Sequence, residues 1–101
     1  MPYTYHWKFY NENSKLESEG IYNYGLKDGK WNYYFENGNI ERYESYKNDV
    51  KDGGWGYYYN NGLEGVTEVW KENELISQNC FKEKNGKKLR CKKSILINNT
   101  N

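Results

Sequence analysis

The sequence predicts an all-β fold: a twisted, single-layer antiparallel meander of tandem 24-residue β-hairpins, with a small closed barrel as the structural rival. Three observations point there. Aromatic residues are 19% of the chain, with 12 Tyr and 4 Trp, while Ala is absent and Met occurs once; such residues favour pleated, half-buried surfaces over helices. Trp7, Trp31 and Trp55 recur every 24 residues, as do Tyr10, Tyr34 and Tyr58, and Asn13, Asn37, Asn61 and Asn85. Asn37-Gly38 and Asn61-Gly62 are the strongest short hairpin signal a sequence can carry.

The units run over residues 5–28, 29–52, 53–76 and a degraded 77–93, forming one domain over 1–93. The first and second units share 8 identities in 24 positions, and so do the second and third. Each opens on a Trp-led strand (WKFYNE, WNYYFE, WGYYYN). A turn follows at Asn13-Ser14, Asn37-Gly38 or Asn61-Gly62, expected as type I′ with positive φ at both central residues. The second strand is Glu-rich: LESEGIY, IERYESY, GVTEVW. A longer turn carrying Asp28-Gly29 or Asp52-Gly53 leads to the next Trp, expected as a type I turn closed by a left-handed Gly. The fourth unit keeps Asn85-Gly86 but lacks the Trp. Ile95-Leu96-Ile97 reads as a last short strand within 94–101, with a frayed tail from Asn98.

A two-residue turn at Asn37-Gly38 places Phe35 opposite Ile40, Tyr33 opposite Arg42 and Trp31 opposite Glu44. These share a face because side chains alternate along a strand. Both faces carry rings, and no helix is available to cover either. Leu, Ile, Val and Phe supply only 17 of 101 residues, so the rings must be the core.

Charge divides the chain. Lys82, Lys84, Lys87, Lys88, Arg90, Lys92 and Lys93 against Glu83 make residues 82–93 net +6, and the remainder holds 8 basic and 13 acidic groups, net −5. No apolar run reaches the ~18 residues of a membrane helix. No signal peptide stands at the start, so the expected location is cytoplasmic.

Chemistry-bearing sets are sparse. His6 is the single histidine, which leaves no Ser-His-Asp, Cys-His or metal-ligating set, and no cofactor is expected. Glu17, Glu41, Glu44, Glu64 and Glu68 fall on second strands and read as a solvated acidic strip. Paired carboxylates need a desolvating pocket to do acid–base work. Cys80 and Cys91 face each other across a two-residue Asn85-Gly86 turn, at a hydrogen-bonded pair where side chains diverge; two reduced thiols are favoured over a disulfide. The aromatic repeats are net acidic and the basic residues lie elsewhere, which argues against single-stranded nucleic acid. The Gly-rich spots are turns.

The run KDGKWNYYFENGNIERYESYKND resembles the MORN-repeat variant of the YwqK-type antitoxin family, whose unit reads roughly G-x-W-x-Y-Y-x-x-N-G-x-x. The resemblance covers about residues 5–76 and, weakly, 77–90. Ser14 stands where the turn Gly is expected, and Leu63 arrives one residue early relative to Ile40. The resemblance implies a β-hairpin sheet and neutralisation of a toxin partner.

The expected function is a non-catalytic, protein-binding inhibitor of the antitoxin or immunity kind. Its effector would be a basic, nucleic-acid-acting protein steered in by the acidic body. A phage-type inhibitor of a defence enzyme follows the same logic. The surface expected to bind comprises Tyr33, Tyr57, Tyr59, Glu41, Glu44, Glu64 and Glu68. The alternative is a structural scaffold, or a module touching anionic lipid through Lys82, Lys84, Lys87, Lys88, Arg90, Lys92 and Lys93.

Overall fold

A computed structural model describes residues 3–91. Lys92 and Lys93, the strand expected at Ile95-Leu96-Ile97 and the tail lie outside the described residues. Nine antiparallel strands make one meander sheet, with no helix among the described residues. They are β1 (Thr4–Tyr10), β2 (Leu16–Asn23), β3 (Leu26–Tyr34), β4 (Ile40–Lys47), β5 (Val50–Lys51), β6 (Gly53–Tyr58), β7 (Glu64–Lys71), β8 (Glu74–Phe81) and β9 (Lys88–Leu89). The order is β1-β2-β3-β4-β6-β7-β8-β9, with β5 paired to β4. β1 and β9 lie at opposite edges, so the sheet is open and the barrel is excluded.

The two kinds of turn are exchanged relative to expectation. At the first three Asn turns only Ser14, Gly38 and Gly62 have positive φ, of 64°, 93° and 92°. Phe35 N–H donates to Asn39 O, and Gly38 N–H to Phe35 O; Tyr59–Leu63 and Asn11–Lys15 repeat that pattern. This is a three-residue loop, a type I turn closed by a left-handed residue, in place of the expected type I′ pair. The Asn side chain favours it: Asn37 Oδ1 accepts from Asn39 N–H at 2.9 Å, and Asn61 Oδ1 from Leu63 N–H at 2.9 Å. In the first unit Asn11, not Asn13, does this for Asn13 N–H.

The type I′ turns lie at the other end of the sheet. Tyr24-Gly25, Asn48-Asp49 and Glu72-Asn73 have positive φ at both positions. They close the pairs Asn23↔Leu26, Lys47↔Val50 and Lys71↔Glu74. Asp28-Gly29 and Asp52-Gly53 therefore lie in or beside strands, where Gly29 and Gly53 take positive φ at bends.

The longer Asn loop moves Tyr34 opposite Ile40 and Phe35 opposite Asn39, contrary to the expected Phe35–Ile40 pair. A bulge one residue on, at Glu41, restores Tyr33↔Arg42 and Trp31↔Glu44. Glu17 and Gly65 are the equivalent extra residues in the first and third units. The faces therefore come out as the alternation predicts.

Neighbouring hairpins are stitched at both ends. Asn37 Nδ2 donates to Asn60 Oδ1 at 2.6 Å, Asn61 Nδ2 to Glu83 O at 3.0 Å, and Lys15 Nζ to Glu36 O at 3.1 Å. At the other end Lys27 N–H donates to Asp49 Oδ1 at 2.8 Å, and Lys51 N–H to Asn73 Oδ1 at 2.9 Å. The second of these last two bonds is the first shifted by 24 residues, and such bonds make each unit's stability depend on its neighbour.

Cys80 and Cys91 form a disulfide with Cα atoms 5.2 Å apart, which corrects the expectation of two thiols. The fourth turn is longer than two residues, closing through Lys82 N–H to Lys87 O and Gly86 N–H to Lys82 O. Cys80 pairs with Leu89, so Cys91 sits diagonally to it, away from the unfavourable directly opposed position. The bridge ties β9 back to a unit that has lost its Trp.

Candidate binding face

Alternation gathers one set of side chains on a single face. It carries Trp7, Phe9 and Tyr22 from the first unit, Trp31, Tyr33 and Tyr46 from the second, and Trp55, Tyr57 and Trp70 from the third; each set is the previous one shifted by 24 residues. Trp31 and Trp55 are 1% and 4% exposed, so the thin core is made of indoles. Their N–H groups are satisfied: Trp31 Nε1 donates to Ile21 O and Trp55 Nε1 to Ser45 O, each at 3.0 Å. Trp31 meets Tyr22 edge-on at 4.9 Å, and Trp55 meets Tyr46 edge-on at 5.4 Å.

Lysines lie between these rings. Lys27 Nζ is 5.0 Å from the Trp31 centroid, 5.8 Å from Tyr33 and 5.2 Å from Tyr46, and it donates to Tyr33 Oη at 3.1 Å. Lys51 Nζ is 4.9 Å from Trp55 and 4.3 Å from Trp70. The second and third units therefore hold an ammonium inside an aromatic cage, where ring faces attract it. These lysines belong to the repeated Lys-Asp-Gly, which sequence reasoning assigned to turns.

The expected binding residues divide. Tyr33, Tyr57, Glu44 and Glu68 share the ring face. Glu44 is 8% exposed and is held by Arg42 Nε at 3.0 Å and Tyr46 Oη at 2.9 Å. Arg42 also covers the Tyr33 ring at 3.9 Å. Glu68 accepts from Trp70 Nε1 at 2.8 Å and Gln78 Nε2 at 2.7 Å. These two carboxylates are therefore not members of a solvated strip; they sit among rings and orient them. Their charge is felt locally. Burial, and then Glu68 and Glu44, raise the Tyr57 hydroxyl above its ordinary value, and burial with the Glu44 hydrogen bond raises Tyr46 strongly.

Glu17, Glu41 and Glu64 lie near the Asn-turn end and face more solvent; Glu41 lies 3.5 Å from Arg42. Tyr59 stands apart, donating to Phe81 O at 2.8 Å and packing over Gly65, where a Cβ would meet its ring at 3.3 Å. Of the basic segment, Lys82, Lys84, Lys87, Lys88 and Arg90 are exposed on the disulfide-closed hairpin; Lys92 and Lys93 are outside the described residues.

Sequence reasoning missed Arg42, Trp70 and Gln78, which neutralise or orient the carboxylates. The sequence did place Arg42 opposite Tyr33, a pair that the three-residue loop and the bulge at Glu41 together preserve.

The opposite face carries His6, whose Nε2 lies 3.3 Å from Glu19 Oε1, while Tyr34 Oη donates to Glu19 Oε2 at 2.6 Å. Burial, then that bond, pushes the Tyr34 hydroxyl up to about 12. A concavity of about 340 Å³ is lined by Lys15, Leu16, Tyr34, Phe35 and Glu36, and not by His6. The described residues contain no group of three or more His, Cys, Asp or Glu placed to hold a metal.

Comparison with protein-family models, with curated proteins and with solved structures finds no match.

Proposed function

We propose that this protein is a non-catalytic binding module of the antitoxin or immunity kind, which sequesters a basic protein effector on the ring-bearing face of its sheet. The observation that carries the reading is a sheet with no second layer over that face among the described residues. Trp7, Phe9 and Tyr57 stand there 45%, 39% and 36% exposed. Rings of this kind anchor protein interfaces, since they bury large areas at low entropic cost. Tyr33 and Tyr57 supply anchors beside Arg42. Glu17, Glu41 and Glu64 near the Asn turns supply the negative charge that steers a cationic partner. The MORN-type resemblance adds the inhibitor role, and the same surface serves a phage-type inhibitor equally.

The test is functional neutralisation. Co-expression with the protein encoded by the adjacent gene should relieve that protein's toxicity, and Tyr57→Ala should abolish the relief. An unrelated neighbour, with no toxicity to relieve, overturns the inhibitor role.

A second reading has its own observation: five exposed cations on one hairpin. They would suit an anionic membrane surface, each contributing about 1 kcal/mol near it.

A further inference from the structure

The three ring sets of the binding face are related by the 24-residue repeat, but they differ at two positions: Tyr5, directly opposite Tyr22, stands where the later sets have Gly29 and Gly53, and the cation position changes as well. It is filled by Lys27 for Trp31, Tyr33 and Tyr46, and by Lys51 for Trp55 and Trp70. The residue 24 positions before Lys27, which stands in this place for Trp7, Phe9 and Tyr22, is Tyr3. Its ring is engaged elsewhere, stacked on Tyr24 at 4.6 Å with 5° between the planes. Trp7 meets Tyr22 at 5.9 Å and Phe9 at 5.8 Å, and Trp55 meets Trp70 at 5.8 Å with Lys51 over both. The spacing that holds a lysine in the third unit is thus present in the first. Among the described residues the corner is also open: β1 is an edge strand, and Trp7 is 45% exposed where Trp31 and Trp55 are buried.

We propose that the corner formed by Trp7, Phe9 and Tyr22 receives a lysine side chain of the protein partner, completing in trans the aromatic cage that Lys27 and Lys51 complete in cis. This rests on the protein-binding reading and names the partner's contact group. The occupant is argued from the chain itself, because two of its three repeat-related cages already hold a lysine ammonium. The charge balance agrees, since the chain outside residues 82–93 is net −5 and favours approach of a basic protein. Phe9 stands where Tyr33 gives Lys27 a hydroxyl acceptor. An incoming ammonium therefore keeps its remaining hydrogen bonds to water or to the partner's own groups, as a residue at an interface edge can.

The experiment is an NMR titration of the full chain with a lysine homo-oligomer at low salt, following the backbone amide, indole N–H and ring signals. The expected result is a shift at Trp7 and Tyr22, with affinity falling about fivefold in Trp7→Ala and by less in Trp7→Phe, because indole is the better cation partner. Phe9→Ala should weaken binding as well. Trp7 and Phe9 are exposed enough that these variants fold, which an unchanged Trp55 indole signal reports; Trp31, whose ring lies 6.4 Å from Phe9, does not serve as that control. Shifts confined to Glu17, Glu41 and Glu64, or affinity unchanged in Trp7→Ala, would overturn the proposal. The oligomer readout needs no cognate partner, so its failure is separate from failure of the protein-binding reading. Retention of an isolated natural partner by Trp7→Ala at undiminished affinity would overturn the corner's role while leaving that reading in place.

Discussion

The indole of Trp31 lies directly on the backbone of Gly20, so that any Cβ at position 20 would fall inside the ring. Gly20 has no unusual φ; it is needed for close approach alone. It lies between Trp7, its partner on β1, and Trp31 across β3, and only a hydrogen leaves room for the buried ring. Gly20→Ala should therefore destabilise by about 1–3 kcal/mol, the usual cost of overpacking. Urea unfolding checks it. Gly38→Ala should lose stability by a different route, through strain at φ 93°, because nothing lies within 4 Å of its would-be Cβ.

Trp31→Ala should cost about 3–5 kcal/mol, as expected for a buried aromatic side chain. That approaches the whole stability of a small domain. Trp7→Ala should cost much less, since Trp7 is 45% exposed. Equal unfolding midpoints for the two variants would contradict the burial gradient along the repeat.

Arg42 and Glu44 should behave as a coupled pair. Arg42→Met leaves the buried Glu44 carboxylate with Tyr46 alone, and should cost about 1.5–3 kcal/mol. Adding Glu44→Gln should recover part of that loss, because the uncompensated charge is what makes the single change expensive. A double variant less stable than Arg42→Met would contradict the assignment.

Alkaline pH should unfold the protein early. The hydroxyls of Tyr34, Tyr46, Tyr57 and Tyr58 are all raised, in each case by burial first. A raised folded-state value favours the protonated native form. The associated stability is complete below the unfolded value of 10.0 and is lost as pH climbs towards about 12, the value for Tyr34. Ultraviolet titration should show a group of tyrosines ionising only together with unfolding, and a smooth ionisation near 10 would contradict this.

The disulfide should be measurable as both chemistry and stability. Thiol titration of the native protein should find neither Cys80 nor Cys91 free. Reduction should cost about 2–4 kcal/mol. Two free thiols in freshly purified protein would restore the two-thiol expectation.

Much of this fold was legible in the sequence, for a physical reason. The repeat is carried by residues whose size or turn chemistry is hard to replace: Trp31 and Trp55 in the core, Asn37 and Asn61 at the loops. The pairs Tyr33↔Arg42 and Trp31↔Glu44 followed from those loops, although the loop type was wrong. A longer loop and a bulge at Glu41 offset one another, so two errors of register cancelled. The true type I′ turns escaped notice because Tyr24-Gly25 and Glu72-Asn73 share no residue type; the tight pairing of the flanking strands sets their shape. The site was less legible. Glu44 and Glu68 alternate like surface residues, and their burial depends on rings from neighbouring strands. The cages of Lys27 and Lys51 join residues 19 positions apart, as in Lys27 and Tyr46, which only pairing between strands brings together.

The most direct test of the central claim is isolation of the protein from its native cell, in wild-type form and as Tyr57→Ala. The binding reading predicts one stoichiometric, basic protein partner with wild type and loss of that partner with Tyr57→Ala. Recovery of no protein partner, together with binding to anionic vesicles that Lys87→Glu and Lys88→Glu abolish, would contradict it.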